Sequence, residues 1–401
     1  MSQSCLPPSR IPLFDPAAAY RRHRAAIDAA VAEVLASGHY IHGPAVAALE
    51  AALAAEAGAR AAVAVANGTD ALVLALRAAG IGAGDAVFVP AFTYVATAGA
   101  VRLAGAVPVF VDVRPGDLTL DPADLERRLA TTQTNGQATG QAAARAAEGP
   151  RPRAVIAVDL YGRPADLDAI AAVAETAGLL VIADAAQSLG ARDRGHGVAA
   201  RAPGHCPVTA TSFYPTKPLG CAGDGGMLFT DDPAQAALWR RWRVHGTQGG
   251  HTAEGLGMNS RLDTVQAAIL HAKLPGLHPE RDRRAALAAR FDAALADRAT
   301  TPPPDKADTR SAWALYTIRT PARAQVAAAL DRAGVATGVY YTAPLHLHPG
   351  YAAFGGGPGS LPVAEQAAGE VLSLPCHAGM SDADAARVAE AARDALDAVH
   401  G

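Results

Sequence analysis

The 401-residue sequence is short of cysteine, of aromatics, of net charge and of long apolar runs, and each shortage removes a class of protein. Its four cysteines, Cys5, Cys206, Cys221 and Cys376, include no closely spaced pair. That argues against a disulfide framework or a structural zinc site and fits a reducing, cytoplasmic compartment. A net charge of −3 gives no reason to expect a nucleic-acid partner. No stretch approaches the unbroken apolar length a bilayer requires. The opening MSQSCLPPSR lacks the charged-then-apolar order of a signal peptide. No internal repeat is evident.

What is present is a chain that is half apolar, rich in alanine, and long enough for one large domain plus a smaller one. Helical periodicity over 17–38 ends on a glycine, and a second helix is expected after Pro44. Strand and helix then alternate. AAVAVA (61–66) leads into a helix over 69–80, and DAVFVP, AVPVFVDV, RAVIAVDL and LLVIAD follow as short, continuously apolar strands. Such runs suit a mostly parallel sheet covered on both faces, an α/β doubly wound architecture. The polar stretch 131–152 is expected to be a surface loop, with some helix at QAAARAAEG. A long helix over 279–298 leads to TPPPDK, the expected domain junction. Residues 1–278 are thus expected to form an N-terminal segment and a large domain, and 279–401 a linker helix and a small C-terminal α+β domain.

Four local features carry chemistry. In SFYPTKPLGCAGDGG (212–226), Lys217 lies between two prolines, ahead of a glycine-rich run and between the strand-like TATSF and GMLFT. A constrained amine of that kind is what a covalent aldehyde cofactor requires, although a structural loop would account for the prolines equally well. AAVAVA runs straight into NGTD and a helix, where free N–H groups and the helix dipole favour a phosphate beside Gly68 and Thr69. An ordinary N-cap is the alternative. LLVIADAAQSLG puts Asp184 at the carboxyl end of a strand, where an aspartate can hold a pyridinium nitrogen protonated or simply cap a turn. Gln187, just beyond it, faces either a cofactor's ring oxygen or water. Tyr94, past another strand end in AFTYVATAGA, offers a flat ring for stacking or for core packing.

In this order, and with MNSRLDTVQAAIL, the blocks resemble the sugar aminotransferases of the DegT/DnrJ/StrS type, which have the pyridoxal-phosphate fold type I. The resemblance runs from IPLFDP through VANGTDALVLAL, VPAFTYVAT, ADAAQSLGA and the lysine loop to the C-terminal LPV, nearly the whole chain. It implies pyridoxal 5'-phosphate as cofactor and transfer of an amino group from L-glutamate, released as 2-oxoglutarate, to a keto group on a nucleotide-linked sugar. By the same resemblance Lys217 would hold the cofactor covalently and shuttle the proton. Asp184 would hold the ring nitrogen, Gln187 the ring oxygen, and Tyr94 the ring face. Gly68, Thr69 and Ser212 would hold the phosphate, and Asn259 would reach it from the partner subunit of a homodimer with shared sites. Arg261 would meet the acidic part of donor or sugar nucleotide, and Tyr340 and Tyr341 would line the substrate pocket.

The wording KPLGCAGDGG is most similar to enzymes that aminate carbon 3 of a UDP-linked 2-acetamido-3-keto uronic acid. Many relatives carry His-Tyr where this chain has Tyr340-Tyr341, which touches the sugar's identity more than the reaction. Lys217 argues against the relatives that carry histidine there and dehydrate their substrate. Alternatives are another nucleotide-linked keto-hexose, a keto-cyclitol acceptor, or a cofactor-binding regulatory protein without turnover. In RRWRVHG, His245 could line the entrance for a sugar diphosphate, although a solvated helix face explains the arginines. His346 and His348 alternate as metal ligands can but lack a third ligand at sensible spacing, so loop packing is expected and no metal.

Overall fold

The computed structural model describes residues 10–135, 149–200, 206–247 and 252–400. In chain order the elements are α1 (Pro16–Ser37), α2 (Pro44–Ala57), β1 (Ala61–Val65), α3 (Gly68–Ala78), β2 (Asp85–Pro90), α4 (Val95–Leu103), β3 (Val107–Val111), α5 (Pro122–Asn135), β4 (Arg151–Val158), α6 (Leu167–Thr176), β5 (Leu180–Asp184), β6 (Val208–Ser212), β7 (Gly226–Thr230), α7 (Pro233–Trp242), α8 (Thr264–Lys273), α9 (Leu277–Leu295), β8 (Tyr316–Arg319), α10 (Arg323–Arg332), α11 (Pro362–Glu370), β9 (Val371–Leu374) and α12 (Asp382–His400). Local chemistry marks several ends. α1 starts with Pro16 in its first turn and the Asp15 carboxylate accepting from Ala18 N–H at 2.9 Å, and it stops at Gly38, whose φ is +70°.

Seven strands form one sheet in the order β1-β7-β6-β5-β4-β2-β3. β7 runs antiparallel to both its neighbours, and the other pairs are parallel. The carboxyl ends of β1 through β6 therefore share one edge, where ligands gather in open α/β sheets. Alternate residues along the strands feed different clusters. Val63 and Val65 pack with Leu72, Val87 and Ile156 on one face. Ala62 and Ala64 pack with Leu49, Leu53 and Phe229 on the other, and Phe88 joins Val155 and Ile170 farther along. With both faces covered, every residue of β2 and β7 is buried, which is why these strands read as unbroken apolar runs.

A smaller unit pairs β8 with β9 antiparallel and packs α9, α10 and α12 around Phe291, Tyr316, Leu330 and Leu396. Ile11, near the start of the described chain, belongs to this cluster. Its N–H donates to the Gly334 carbonyl at 2.8 Å, and its own carbonyl accepts from Ala336 at 3.0 Å. The loop expected over 131–152 is shorter than the composition suggests. α5 continues through Asn135, with the Thr131 and Thr132 hydroxyls donating back to the Arg128 carbonyl at 2.9 and 2.8 Å, and β4 begins at Arg151. The rest, including nearly all of QAAARAAEG, lies outside the described residues. No described helix is long and apolar enough to cross a membrane.

Candidate active site

Asp184 is the last residue of β5 and only 7% exposed. The Ala186 N–H donates to its Oδ1 at 3.1 Å and the Thr97 hydroxyl to its Oδ2 at 3.1 Å. Burial raises the carboxyl's pKa, while the Ala186 bond, the nearby Lys217 and the Thr97 bond pull it back. Thr97 stands in the first turn of α4, directly after Tyr94, so one strand-to-helix turn supplies both residues.

Lys217 follows β6 in a loop held by its own backbone. Phe213 N–H donates to Gly225 O at 2.7 Å, Cys221 N–H to Phe213 O at 2.8 Å, and Lys217 N–H to Tyr214 O at 2.8 Å. Gly220 has to be glycine: a Cβ there would stand 2.5 Å from the Pro215 carbonyl oxygen. Burial lowers the Lys217 pKa, and the Asp184 charge opposes that only in part. A larger share of free amine near neutrality follows. The rate at which the cofactor-free protein captures pyridoxal should therefore rise with pH through a midpoint below lysine's usual 10.5. Stopped-flow absorbance against pH reads that midpoint, and a value at or above 10.5 would contradict the burial argument. Lys217 also lines a pocket between its loop, residues 13–15 and the smaller unit.

The turn after β1 lies beside that loop. Asn67 caps α3 by accepting from Asp70 N–H at 2.8 Å, which puts Gly68 and the half-buried Thr69 in the first helical turn. A Cβ on Gly68 would lie 2.8 Å from the Ser212 Cβ, so the turn and Ser212 face each other with no space for a side chain between their backbones. A helix N-terminus, a small residue and a hydroxyl at one point form a cradle that could receive a phosphate.

Gln187 is buried, and its Oε1 accepts from Tyr161 N–H at 2.8 Å. That bond commits the amide's oxygen end and leaves the NH₂ end as a donor. The Gln187 side chain lies near the Tyr341 hydroxyl and pulls its pKa down slightly against the push of burial. Burial first, then the Asp184 charge, push the Tyr341 hydroxyl far above the ordinary tyrosine range, so it stays protonated. The Tyr161 hydroxyl donates to the Tyr340 carbonyl. Tyr341 meets Phe92 at 6.0 Å and Tyr94 at 6.2 Å between ring centroids, and Tyr340 meets Phe14 at 6.3 Å. Tyr94 keeps 56% of its surface open, so one face of its ring is free to take a flat partner.

Lys217, Asp184, Gln187, Tyr94, Gly68, Thr69 and Ser212 thus all come from the elements that end at one sheet edge, and Tyr341 reaches them from the segment between α10 and α11. Asn259, Arg261 and His245 do not join them within the chain. They lie on a ribbon along the free side of β1, where Val244 and Asn259 form an isolated antiparallel bridge. Asn259 is exposed, and so is His245, whose φ is +64°. Arg261 is half-buried with its Nε unpaired. His346 is buried against Glu365 at 3.0 Å, and His348 bonds the Ala343 carbonyl at 3.3 Å, so both rings hold their loop.

Nothing in the sequence marks Thr97 or Tyr161, whereas Asn67 is the ordinary N-cap that NGTD offered as an alternative. Thr97 is legible afterwards, since it sits three residues past Tyr94 on the same first turn. Tyr161 follows β4, and the rule that ligands gather at carboxyl strand ends points to it.

The model of the DegT/DnrJ/EryC1/StrS aminotransferase family matches residues 21–393. The chain is 42% identical over 386 residues to the dTDP-3-amino-3,4,6-trideoxy-alpha-D-glucose transaminase of Streptomyces venezuelae, covering 96% of each chain. It is 43% identical over 351 residues to the UDP-2-acetamido-2-deoxy-3-oxo-D-glucuronate aminotransferase of Pseudomonas aeruginosa, covering 88% of this chain and 90% of that one. The crystal structure of S. venezuelae DesV, in complex with a ketimine intermediate, superposes with a TM-score of 0.88 at 42% identity, covering 97% of this chain and 99% of that one.

Proposed function

The chain belongs to the DegT/DnrJ/EryC1/StrS aminotransferase family, and from that membership we propose how its residues act and which sugar it serves. It is a pyridoxal 5'-phosphate-dependent aminotransferase of nucleotide-linked sugars with fold type I architecture. The proposal is that it takes the amino group from L-glutamate and delivers it to carbon 3 of a UDP-linked 2-acetamido-3-keto uronic acid, as a cytoplasmic homodimer. The observation that carries it is the convergence of a half-buried amine, a buried carboxylate and a Gly68–Ser212 cradle on one sheet edge.

Those residues fit the cofactor: an amine for its aldehyde, a carboxylate for its ring nitrogen, a helix N-terminus for its phosphate. When bound, pyridoxal phosphate supplies a carbonyl for amines and a ring that takes up an electron pair. Lys217 would hold it through Nζ and, when free, accept the proton from the donor's α-carbon and return it. Its lowered pKa keeps that amine able to act as a base near neutrality. Asp184, fixed by Thr97 and the Ala186 N–H, would keep a proton on the ring nitrogen. The Gln187 NH₂ would face the ring oxygen, because its Oε1 is already taken. Gly68, Thr69 and Ser212 would hold the phosphate, and Tyr94 would cover the ring. Asn259 would complete the phosphate site of the second copy in the dimer. Tyr340 and Tyr341 would wall the sugar, with Arg261 and His245 toward acidic or diphosphate groups. Buried free thiols at Cys206, Cys221 and Cys376 suit a reducing compartment.

The relatives named above act on UDP- and dTDP-linked sugars, so the second reading is a dTDP-linked 3-keto-hexose. One experiment separates the possibilities. The holoprotein should show a visible absorption band that L-glutamate bleaches with release of 2-oxoglutarate. The bleached enzyme is then offered the UDP-keto-uronate, a dTDP-3-keto-hexose and a keto-cyclitol. Return of the band fastest with the UDP-uronate supports the proposal, and fastest return with another acceptor replaces it. A band that glutamate cannot bleach indicates a protein that binds the cofactor without turnover.

A further inference from the structure

The open margin of the sheet is closed by side chains instead of another strand. β1 pairs with β7 on one side only. Along its other side the backbone groups are taken in turn. Arg240 Nη2 donates to Ala62 O at 3.0 Å, and Ala64 N–H donates to Glu50 Oε1 at 2.9 Å. Arg243 Nη1 donates to Ala64 O at 2.6 Å, and Ala66 N–H donates to Ser260 Oγ at 3.1 Å. Arg243 Nη1 also donates to Glu50 Oε1 at 2.6 Å, and Ser260 N–H to the Arg243 carbonyl at 2.9 Å. Arg243 is 7% exposed and Ser260 wholly buried.

Such a cap removes an edge that would otherwise pair with another chain. A buried ion pair is nonetheless weak evidence for stability, since desolvation offsets most of its attraction. Its location suggests a second role. The residues that leave β1 at Ala66 are Asn67, Gly68 and Thr69. On the inner side this turn is set by close backbone contact, because a Cβ on Gly226 would come within 2.5 Å of the Asn67 carbonyl and one on Gly68 within 2.8 Å of Ser212. On the outer side the Glu50–Arg243–Ser260 strap, with Arg240 beside it, holds the strand that delivers it. Ser260 also carries Asn259 and Arg261 beside it, so both sequence neighbours are set by the same strap.

We infer that Glu50, Arg243 and Ser260 are positioning residues for phosphate recognition, fixing the end of β1 so that the Gly68–Thr69 turn meets Ser212 at the spacing a phosphate needs. This rests on the placement of the cofactor's phosphate under the proposed function. The test titrates the full-length, cofactor-free protein with pyridoxal phosphate and, separately, with unphosphorylated pyridoxal, following absorbance. Wild type should prefer the phosphorylated form. Glu50→Gln and Ser260→Ala should each weaken pyridoxal phosphate about tenfold, a hydrogen bond's worth, while pyridoxal changes by less than about threefold. Leu396→Ala, a core defect in the smaller unit, should lower the melting temperature and leave the ratio of the two affinities where it was. If Glu50→Gln does not fold, Ser260→Ala decides, since it removes a single hydrogen bond. An unchanged ratio in the strap variants, or an equal fall for both ligands, overturns the inference. A wild type without phosphate preference overturns the placement of the phosphate itself, and the inference with it.

Discussion

Lys217→Ala is expected to lower amino transfer by at least roughly 10²–10⁴-fold, the range that a positioned proton carrier supplies. Anchoring is lost together with proton transfer, so the deficit should exceed what either accounts for alone. Single-turnover assays with glutamate measure it, and borohydride treatment of the holoprotein should no longer leave a reduced pyridoxyl group on the chain. Residual turnover within about tenfold of wild type would remove this lysine from the chemistry. The fold itself should tolerate the change. Because burial depresses the Lys217 pKa, the unfolded chain binds its proton more tightly than the native one. The lysine's contribution is favourable above its usual 10.5 and is lost as pH falls through the depressed native value. Without cofactor, the alanine variant should gain melting temperature relative to wild type as pH is lowered through that interval.

Asp184→Asn should cost about 10²–10³-fold in turnover, the size found when a preorganised electrostatic group is removed. A carboxamide can still accept from Thr97 or Ala186, so geometry survives while the charge opposite the ring nitrogen does not. The electronic effect should fall on the rate of α-proton removal, visible as a larger isotope effect with deuterated glutamate. An unchanged rate would show that the carboxylate serves only to cap the strand. Stability should move the other way. Burial raises the Asp184 pKa above 3.8. Its protonated form adds stability that is complete below 3.8 and disappears as pH rises through the raised value. In the absence of cofactor the asparagine variant should match wild type at the acid end and melt higher above it, a difference that added pyridoxal phosphate should reverse.

Lys217 between prolines ahead of glycines, and Asp184 closing an apolar run, each leave a structural reading open in the sequence, and it is the resemblance that gives them roles. DAVFVP and GMLFT fall on β2 and β7 to the residue, since strands covered on both faces leave no polar alternation to blur their ends. The direction of β7 was not legible, because a fully buried strand has the same composition whichever way it runs. Nor were the supporting partners. Glu50 meets Arg243 across 193 positions and Thr97 meets Asp184 across 87, and nothing local marks either member of such a pair. Asn259, Arg261 and His245 stand on the ribbon beside β1, apart from the lysine of their own chain. Their proposed roles therefore depend on a second copy that a single sequence does not display.

Ile11 is stitched to the strand-like stretch around Val335, more than three hundred residues downstream. A ribosome making roughly 5–20 residues per second emits these two points about 15–65 s apart. The sheet-bearing portion has that interval in which to assemble while its leading end stays unclaimed. The smaller unit cannot close, however fast its own helices form, until Val335 and the later β9 and α12 have been made, and Ile11 has no partner there before then.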